Sequence, residues 1–253
     1  MVDYDPRILR CYDQDNPDGP DHDFYRTTAD NLAPRTIIDL GCGTGMLTVT
    51  LRSPNRTVVG IDPSQSMLDL ATQRPGSQGV RWVRGDASSL ASGCADLIVM
   101  TGNVAQHIVG TAWPAALRDV YAGLRPGGRL VFESRNPVAR AWQAWAATGR
   151  TTRETTLGTV TQWMDVEPMT RDGHVSFLAH SVLASSDETI VERQTLAFRS
   201  EHRIRLDLAD AGLQVEAVWG GWSDEPVGAH SRVMVFQAQR PNLEASDCPD
   251  DIA

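Results

Sequence analysis

The sequence predicts an α/β fold built on a mostly parallel sheet, on three observations. Short runs rich in β-branched residues, at 37–40, 58–61, 80–83, 97–100 and 130–132, alternate with segments of helical apolar spacing, as successive strand–helix units do. The first run empties into three alternating glycines, Gly41, Gly43 and Gly45. From Thr155 to Phe198 the apolar period changes from 3.6 to 2, which predicts an antiparallel meander set into the parallel fold.

The chain has 253 residues and a mass of 27.6 kDa, enough for one large domain or one domain with an insertion. Its hydrophobic content of 41% supports a sizeable core. The formal charge of −9 makes phosphate backbones poor default partners, so no nucleic acid is expected. Cys11, Cys42, Cys94 and Cys248 form no C-x-x-C pair, so neither a metal site nor a redox motif is expected. Without a basic-then-apolar start or a bilayer-length apolar run, the expectation is a cytoplasmic protein that does not enter membranes.

Residues 1–35 are polar, with turns at Asn16-Pro17-Asp18-Gly19-Pro20. They form either a surface arm pinned by Tyr4, Tyr12, Phe24 and Tyr25, or a cap over the glycine turn with Tyr12 or Tyr25 against a ligand. The strand Ile37–Leu40 follows, and the glycines after it let the backbone turn sharply and approach a ligand closely. A helix is expected from Thr44, with Leu47 and Leu51 on one face. Asp39 stands beside this turn. A diphosphate would be repelled by it, whereas an ammonium or a sulfonium would not.

The second strand ends in Asp62-Pro63, about 20 residues beyond the first glycine, where such folds place an acid on the ribose hydroxyls. Ser64 is available to cap the next helix, which carries Met67, Leu68 and Ala71. The third strand leads into Gly85-Asp86-Ala87. The fourth, Leu97–Met100, opens into Thr101-Gly102-Asn103 and reaches His107. Ligands of open α/β sheets bind outside the carboxyl ends of the strands, so this segment is expected to face one. A helix with Trp113, Leu117, Val120 and Leu124 ends at Arg125-Pro126-Gly127-Gly128. The fifth strand, from Arg129 to Ser134, leads through Glu133, Arg135 and Asn136 to a short helix with Trp142 and Trp145 on one face. These tryptophans are either core or part of an acceptor cage. After the meander, Ser200 caps a helix closed by Gly212, and two strands, Leu213–Trp219 and Arg232–Gln239, complete the chain before an acidic tail.

The stretch Asp39-Leu40-Gly41-Cys42-Gly43-Thr44-Gly45 resembles the first motif of class I S-adenosylmethionine-dependent methyltransferases. Asp62, Asp86-Ala87, Thr101-Gly102-Asn103 and Leu124-Arg125-Pro126-Gly127-Gly128 follow in that family's order. The resemblance is greatest to bacterial small-molecule methyltransferases. It implies a Rossmann-like seven-stranded sheet with helices on both faces, an antiparallel last strand and an inserted antiparallel β lid or dimer surface. It implies S-adenosylmethionine as cofactor, a small-molecule acceptor and compatibility with a homodimer. The corresponding organisation is a cap arm over 1–35, a core over 36–150 and 200–240, an insertion over 151–199 and a tail over 241–253. The cofactor would meet Tyr25, Asp39, Gly41, Gly43, Gly45, Asp62, Pro63, Met67, Asp86, Ala87, Thr101, Gly102 and Asn103, with Asp86 and Ala87 at the adenine. The acceptor would meet Tyr12, His107, Arg135, Asn136, Trp142 and Trp145.

His107 is the first candidate base, because an unperturbed imidazole titrates near neutrality. It is weighed against a loop histidine that only packs or hydrogen-bonds. Glu133 is the second candidate base, and Arg135 a group that orients the acceptor. Two other functions stay open on the sequence. A dinucleotide oxidoreductase would need a third glycine where Met46 stands, and would have to tolerate Asp39. A non-catalytic member would bind the cofactor as a scaffold or sensor.

Overall fold

The computed structural model describes residues 5–156, 158–184, 186 and 188–242. Tyr4, Cys248 and the acidic tail beyond residue 242 therefore lie outside the described residues. The strands in chain order are β1 (Thr36–Leu40), β2 (Thr57–Asp62), β3 (Val80–Arg84), β4 (Ala95–Met100), β5 (Leu124–Arg135), β6 (Thr151–Thr155), β7 (Gly158–Val166), β8 (His174–Leu183), β9 (Glu188–Ala197), β10 (Gln214–Trp219) and β11 (Val233–Gln239). The helices are α1 (Pro6–Leu9), α2 (Tyr12–Asp15), α3 (Pro20–Leu32), α4 (Gln65–Gln73), α5 (Val104–His107), α6 (Ala112–Gly123), α7 (Ala141–Ala147) and α8 (Glu201–Asp210). None of the described helices is long and apolar enough to cross a membrane.

Seven strands make one sheet in the order β10-β11-β5-β4-β1-β2-β3. β1 to β5 pair in parallel, and β11 runs antiparallel to both β5 and β10. From β1 the chain steps outward to β2 and β3, then returns to lay β4 on the other side of β1. The order therefore reverses between β1 and β4, and open α/β sheets bind ligands at such a point.

Alternation along the central strands divides the core into two layers. Ile38, Leu40, Ile98, Met100, Leu130, Phe132 and Phe236 face α6 and α8, against Trp113, Leu117, Val120, Ile204 and Leu208. Ile37, Leu97, Val99, Val131 and Val235 face the other way, against Tyr25 and Ala29 of α3 and against Leu47 and Leu51. These strands are covered on both sides, which explains their continuous apolar runs.

Three expectations change in detail. The helix expected from Thr44 is a single 3-10 turn, Thr48–Leu51. Three β-branched residues, Thr48, Val49 and Thr50, disfavour a longer helix, and Pro54 follows closely. The stretch from Arg125 to Gly128 lies inside β5, absorbed by a register shift against β4 between Ala95 and Leu97. Residues 1–35 are not merely a surface arm. Leu9 and Cys11 are buried, and Ile8 packs on the Val160–Leu183–Ile190 cluster of a second sheet.

That second sheet is antiparallel, in the order β6-β7-β8-β9. α7 is mounted on it through Trp142 and Trp145, whose rings lie 4.6 and 5.9 Å from Phe198. α1 and α2 bridge the two sheets. Asp15 pairs with Arg153 at 2.5 Å and Arg7 with Glu188. On the other side Asp13 accepts from Thr44 at 2.6 Å and pairs with Arg74.

Candidate active site

A crevice of about 450 Å³ opens along the carboxyl ends of β1 to β4. Ten of the expected residues line it: Tyr12, Gly41, Gly43, Asp62, Pro63, Met67, Asp86, Ala87, Gly102 and His107. The wall continues past the expected residues over Ile108, Val109, Ala112, Ala116 and Asp119.

The glycine turn is built by hydrogen bonds to the end of β2. Gly41 and Cys42 donate to the Ile61 carbonyl at 2.7 and 3.1 Å, and Gly43 donates to Asp62 Oδ2 at 2.9 Å. Asp62 Oδ1 accepts from Ser64 N at 2.8 Å, while Ser64 itself caps α4 by accepting from Met67 N. The Asp62 carboxylate is thus held in one plane at the crevice by two backbone donors. Asp86 accepts from Ser88 N and Oγ through Oδ1, at 3.0 and 2.6 Å.

The three glycines serve different purposes, although all have positive φ. A Cβ on Gly41 would meet Val104 Cγ2 at 2.4 Å, so Gly41 lets the loop after β4 close on β1. A Cβ on Gly45 would meet the Trp82 ring at 2.5 Å, so Gly45 is required by packing. A Cβ on Gly43 would meet only Met67 Sδ at 3.9 Å and otherwise project into free space. Gly43 is the position where a ligand can approach the backbone.

Asp39 does not line the crevice. It is 1% exposed, its Oδ2 accepts from Thr48 Oγ1 at 2.6 Å, and its Oδ1 is buried without a hydrogen-bond partner among the described residues. Burial pushes its pKa up to about 6, against the pull of the Thr48 bond. Tyr25 is also withdrawn from the crevice, being fully buried with its hydroxyl on Glu133 Oε2. Glu133 Oε1 accepts from the backbone N–H of Asn103, which has a left-handed φ of 63°. Both oxygens of Glu133 are therefore engaged in ordering the loop from Thr101 to Asn103. Burial raises the Glu133 pKa to about 7, opposed by these two bonds.

His107 departs from the expected neutral titration. Burial and then the nearby Arg135 charge push its pKa down to about 4. Arg135 Nη1 donates to Gln106 Oε1 at 2.9 Å, and its guanidinium lies 5.2 Å from the Trp145 ring centre. Asn136 is buried and accepts from Val138 N at 3.1 Å, ending β5 with a turn. Trp142 belongs to the packing between α7 and the second sheet. Gln106 and Arg199 carried no sequence signal. Gln106, fully buried, donates to the Ala197 carbonyl at 3.2 Å. Arg199 donates to the carbonyls of Ala105 and Ile108 at 2.9 and 2.5 Å. Together they fasten the His107 segment to the end of β9.

The crevice suits an adenosyl sulfonium. Its lining carries Asp62, Asp86 and Asp119 and, among the described residues, no arginine or lysine. Such a surface attracts a cation and repels a diphosphate. Leu40, Met67, Ala87 and Ile108 supply the apolar wall for a flat base.

The chain is similar to known methyltransferases. Residues 37–128 match a family model described as a methyltransferase domain. Cypemycin N-terminal methyltransferase of a Streptomyces species is 29% identical over 216 residues, covering 83% of this chain and 84% of that protein. Other curated bacterial methyltransferases match over shorter stretches, between 46% and 56% of their own lengths. The CcbJ methyltransferase of Streptomyces caelestis superposes with a TM-score of 0.76 at 21% identity, over 94% of this chain and all of that one. SAM-bound CalS10, an amino pentose methyltransferase of Micromonospora echinaspora, does so with a TM-score of 0.67 at 20% identity, over 95% and 98%.

Gly45→Ala should destabilise the fold by about 1–3 kcal/mol in urea unfolding, because its Cβ enters the Trp82 ring. Gly43→Ala should lose about 1 kcal/mol in urea unfolding from its positive φ alone, and also bind S-adenosylhomocysteine more weakly by calorimetry. Between about pH 4 and 7 the native state keeps protons on Asp39 and Glu133 that the unfolded chain has released. Both groups therefore make stability fall as pH rises through that window. Asp39→Asn should flatten that fall in melting temperatures taken from pH 4 to 7.

Proposed function

Because the chain belongs to the class I S-adenosylmethionine-dependent methyltransferases, we propose that it transfers the cofactor's methyl group to an amine of a small-molecule acceptor at the His107 end of the crevice. The observation that carries this reading is the acid-lined, arginine-free crevice at the parting of β1 and β4. The amine is supported by two similar proteins, one named for methylation at an N-terminus and one as an amino pentose methyltransferase.

Within this reading Asp62 accepts from the two ribose hydroxyls, the pairing a carboxylate makes with a vicinal diol. Gly43 brings the backbone against the cofactor, Asp86 takes the adenine amine, and Thr101 to Asn103 faces the methionine end. Bound S-adenosylmethionine supplies a methyl group already activated by its sulfonium charge. The protein's part is to align the acceptor lone pair with that methyl and exclude water, and such orientation lowers a barrier by roughly 7–11 kcal/mol. His107, neutral at pH 7 given a pKa of about 4, is a weak base. Its role is to accept a hydrogen bond from the amine and aim it. Glu133 has both oxygens engaged and acts through the loop it orders.

The reading extends to a cytoplasmic enzyme that handles no nucleic acid, in keeping with its charge of −9. A homodimer through the outer face of the second sheet, where Val191 is exposed, completes it. Light scattering should then give twice 27.6 kDa.

Asp62→Ala should lower affinity for S-adenosylhomocysteine about tenfold or more, since hydrogen bonds to a charged group are worth about 1.5–3 kcal/mol. Unchanged affinity by calorimetry would remove the ribose assignment. The rate on an amine acceptor should climb with pH along that amine's own titration. A His107 inflection near pH 6.5 in the profile would restore the imidazole as general base.

A further inference from the structure

The charges around His107 are divided. On the crevice side stand Asp62, Asp86 and Asp119. On the other side stands Arg135, at the end of β5 beneath α7. The Arg135 guanidinium is half-buried, and no carboxylate lies within ion-pairing distance of it among the described residues. Glu133, two residues earlier, spends its oxygens on Tyr25 and Asn103. One of the five donors of Arg135 goes to Gln106 Oε1. The others make no hydrogen bond among the described residues. Burial lowers the guanidinium pKa, opposed by the nearby Glu133 charge.

The placement of this cation is built rather than incidental. Gln106 is wholly buried, and its amide nitrogen is committed to the Ala197 carbonyl at 3.2 Å. Its oxygen must therefore face Arg135. From below, Trp145 supports the guanidinium face at 5.2 Å and is itself held by Phe177 and Phe198. A fork fixed at one corner and along one face keeps its remaining donors pre-organised for a planar or tetrahedral oxyanion.

We infer that Arg135 is the anion-binding arm of an acceptor subsite, so that the acceptor is an amine that also carries a carboxylate or a phosphate. The inference rests on the methyltransferase reading above and names the acceptor class for it. The oxyanion sits on Arg135 and the amine reaches His107, the chain neighbour of the Gln106 that Arg135 holds at 2.9 Å. The cofactor stays in the acidic crevice, whose lining does not include Arg135.

The test is calorimetry on the full chain saturated with S-adenosylhomocysteine, titrated separately with inorganic phosphate, acetate and acetamide. The wild type should bind at least one of the two anions in the millimolar range and not acetamide. The tighter anion identifies the group that the acceptor carries. Arg135→Gln should lose about tenfold or more of that affinity, and Arg135→Lys should keep part of it. Gln106→Glu, which sets a carboxylate against the guanidinium, should also abolish anion binding with Arg135 in place. The two Arg135 variants should bind S-adenosylhomocysteine within about twofold of wild type, which also reports that they fold. The inference is overturned if wild type binds neither anion, or if Arg135→Gln binds it equally. A fall in S-adenosylhomocysteine affinity in Arg135→Gln would overturn it too, by assigning the guanidinium to the cofactor carboxylate. Failure of the wild type to bind S-adenosylhomocysteine at all is a different result, which removes the methyltransferase reading itself.

Discussion

The site exists because β1 and β4 are neighbours whose outgoing chains part. Gly41 leaves β1 toward β2, and Gly102 leaves β4 toward α6. The gap between them is kept narrow by one contact, Val104 seated where Gly41 lacks a side chain. Any Cβ there would push α5 away from the sheet, and His107 and Gln106 with it. Two of the acids that line the crevice, Asp62 and Asp86, are carried by the neighbouring strands β2 and β3 and their turns, so their spacing follows from the strand spacing of the sheet, while Asp119 comes from α6.

Buried charge around this gap is managed in two ways. Glu133 is a well-bonded buried carboxylate that ties α3, β5 and the loop after β4 at one point. Removing a partner from such a group leaves a buried polar atom unsatisfied, which costs more than the bond itself. Asp39 is different, because one of its oxygens finds no partner beneath the glycine turn. That side chain favours its protonated form well above the usual carboxylate range. Its contribution is to the seating of Thr48, not to a direct contact along the crevice.

Much of this was legible in the chain. β1, β2 and β4 announce themselves as apolar runs, Asp62 by its distance from the first glycine, and Ser64 by the helix it starts. What was not legible depends on residues far apart in sequence. Tyr25 and Glu133 are separated by 108 positions, Gln106 and Ala197 by 91. Neither pair has a local pattern. Gly45 looked like a ligand glycine because spacing does not reveal that Trp82 would arrive beside it. His107 looked like a base because a sequence shows the imidazole but not the burial that suppresses its proton. The tryptophans of α7 were ambiguous until Phe177 and Phe198 appeared opposite them.

The N-terminal helices have a consequence for biosynthesis. Arg7 finds Glu188 only across 181 positions, and Asp15 finds Arg153 after a long interval as well. As the polypeptide leaves the ribosome, the parallel strands β1 to β5 can be assembled while α1 and α2 still lack the half of their docking ground that β6 and β9 supply. Non-local closures of this kind come late and slowly. Tyr12, one wall of the crevice, is therefore anchored from one side only until the second sheet forms, and a nascent chain stalled before β6 would hold the glycine turn under a half-fastened cover.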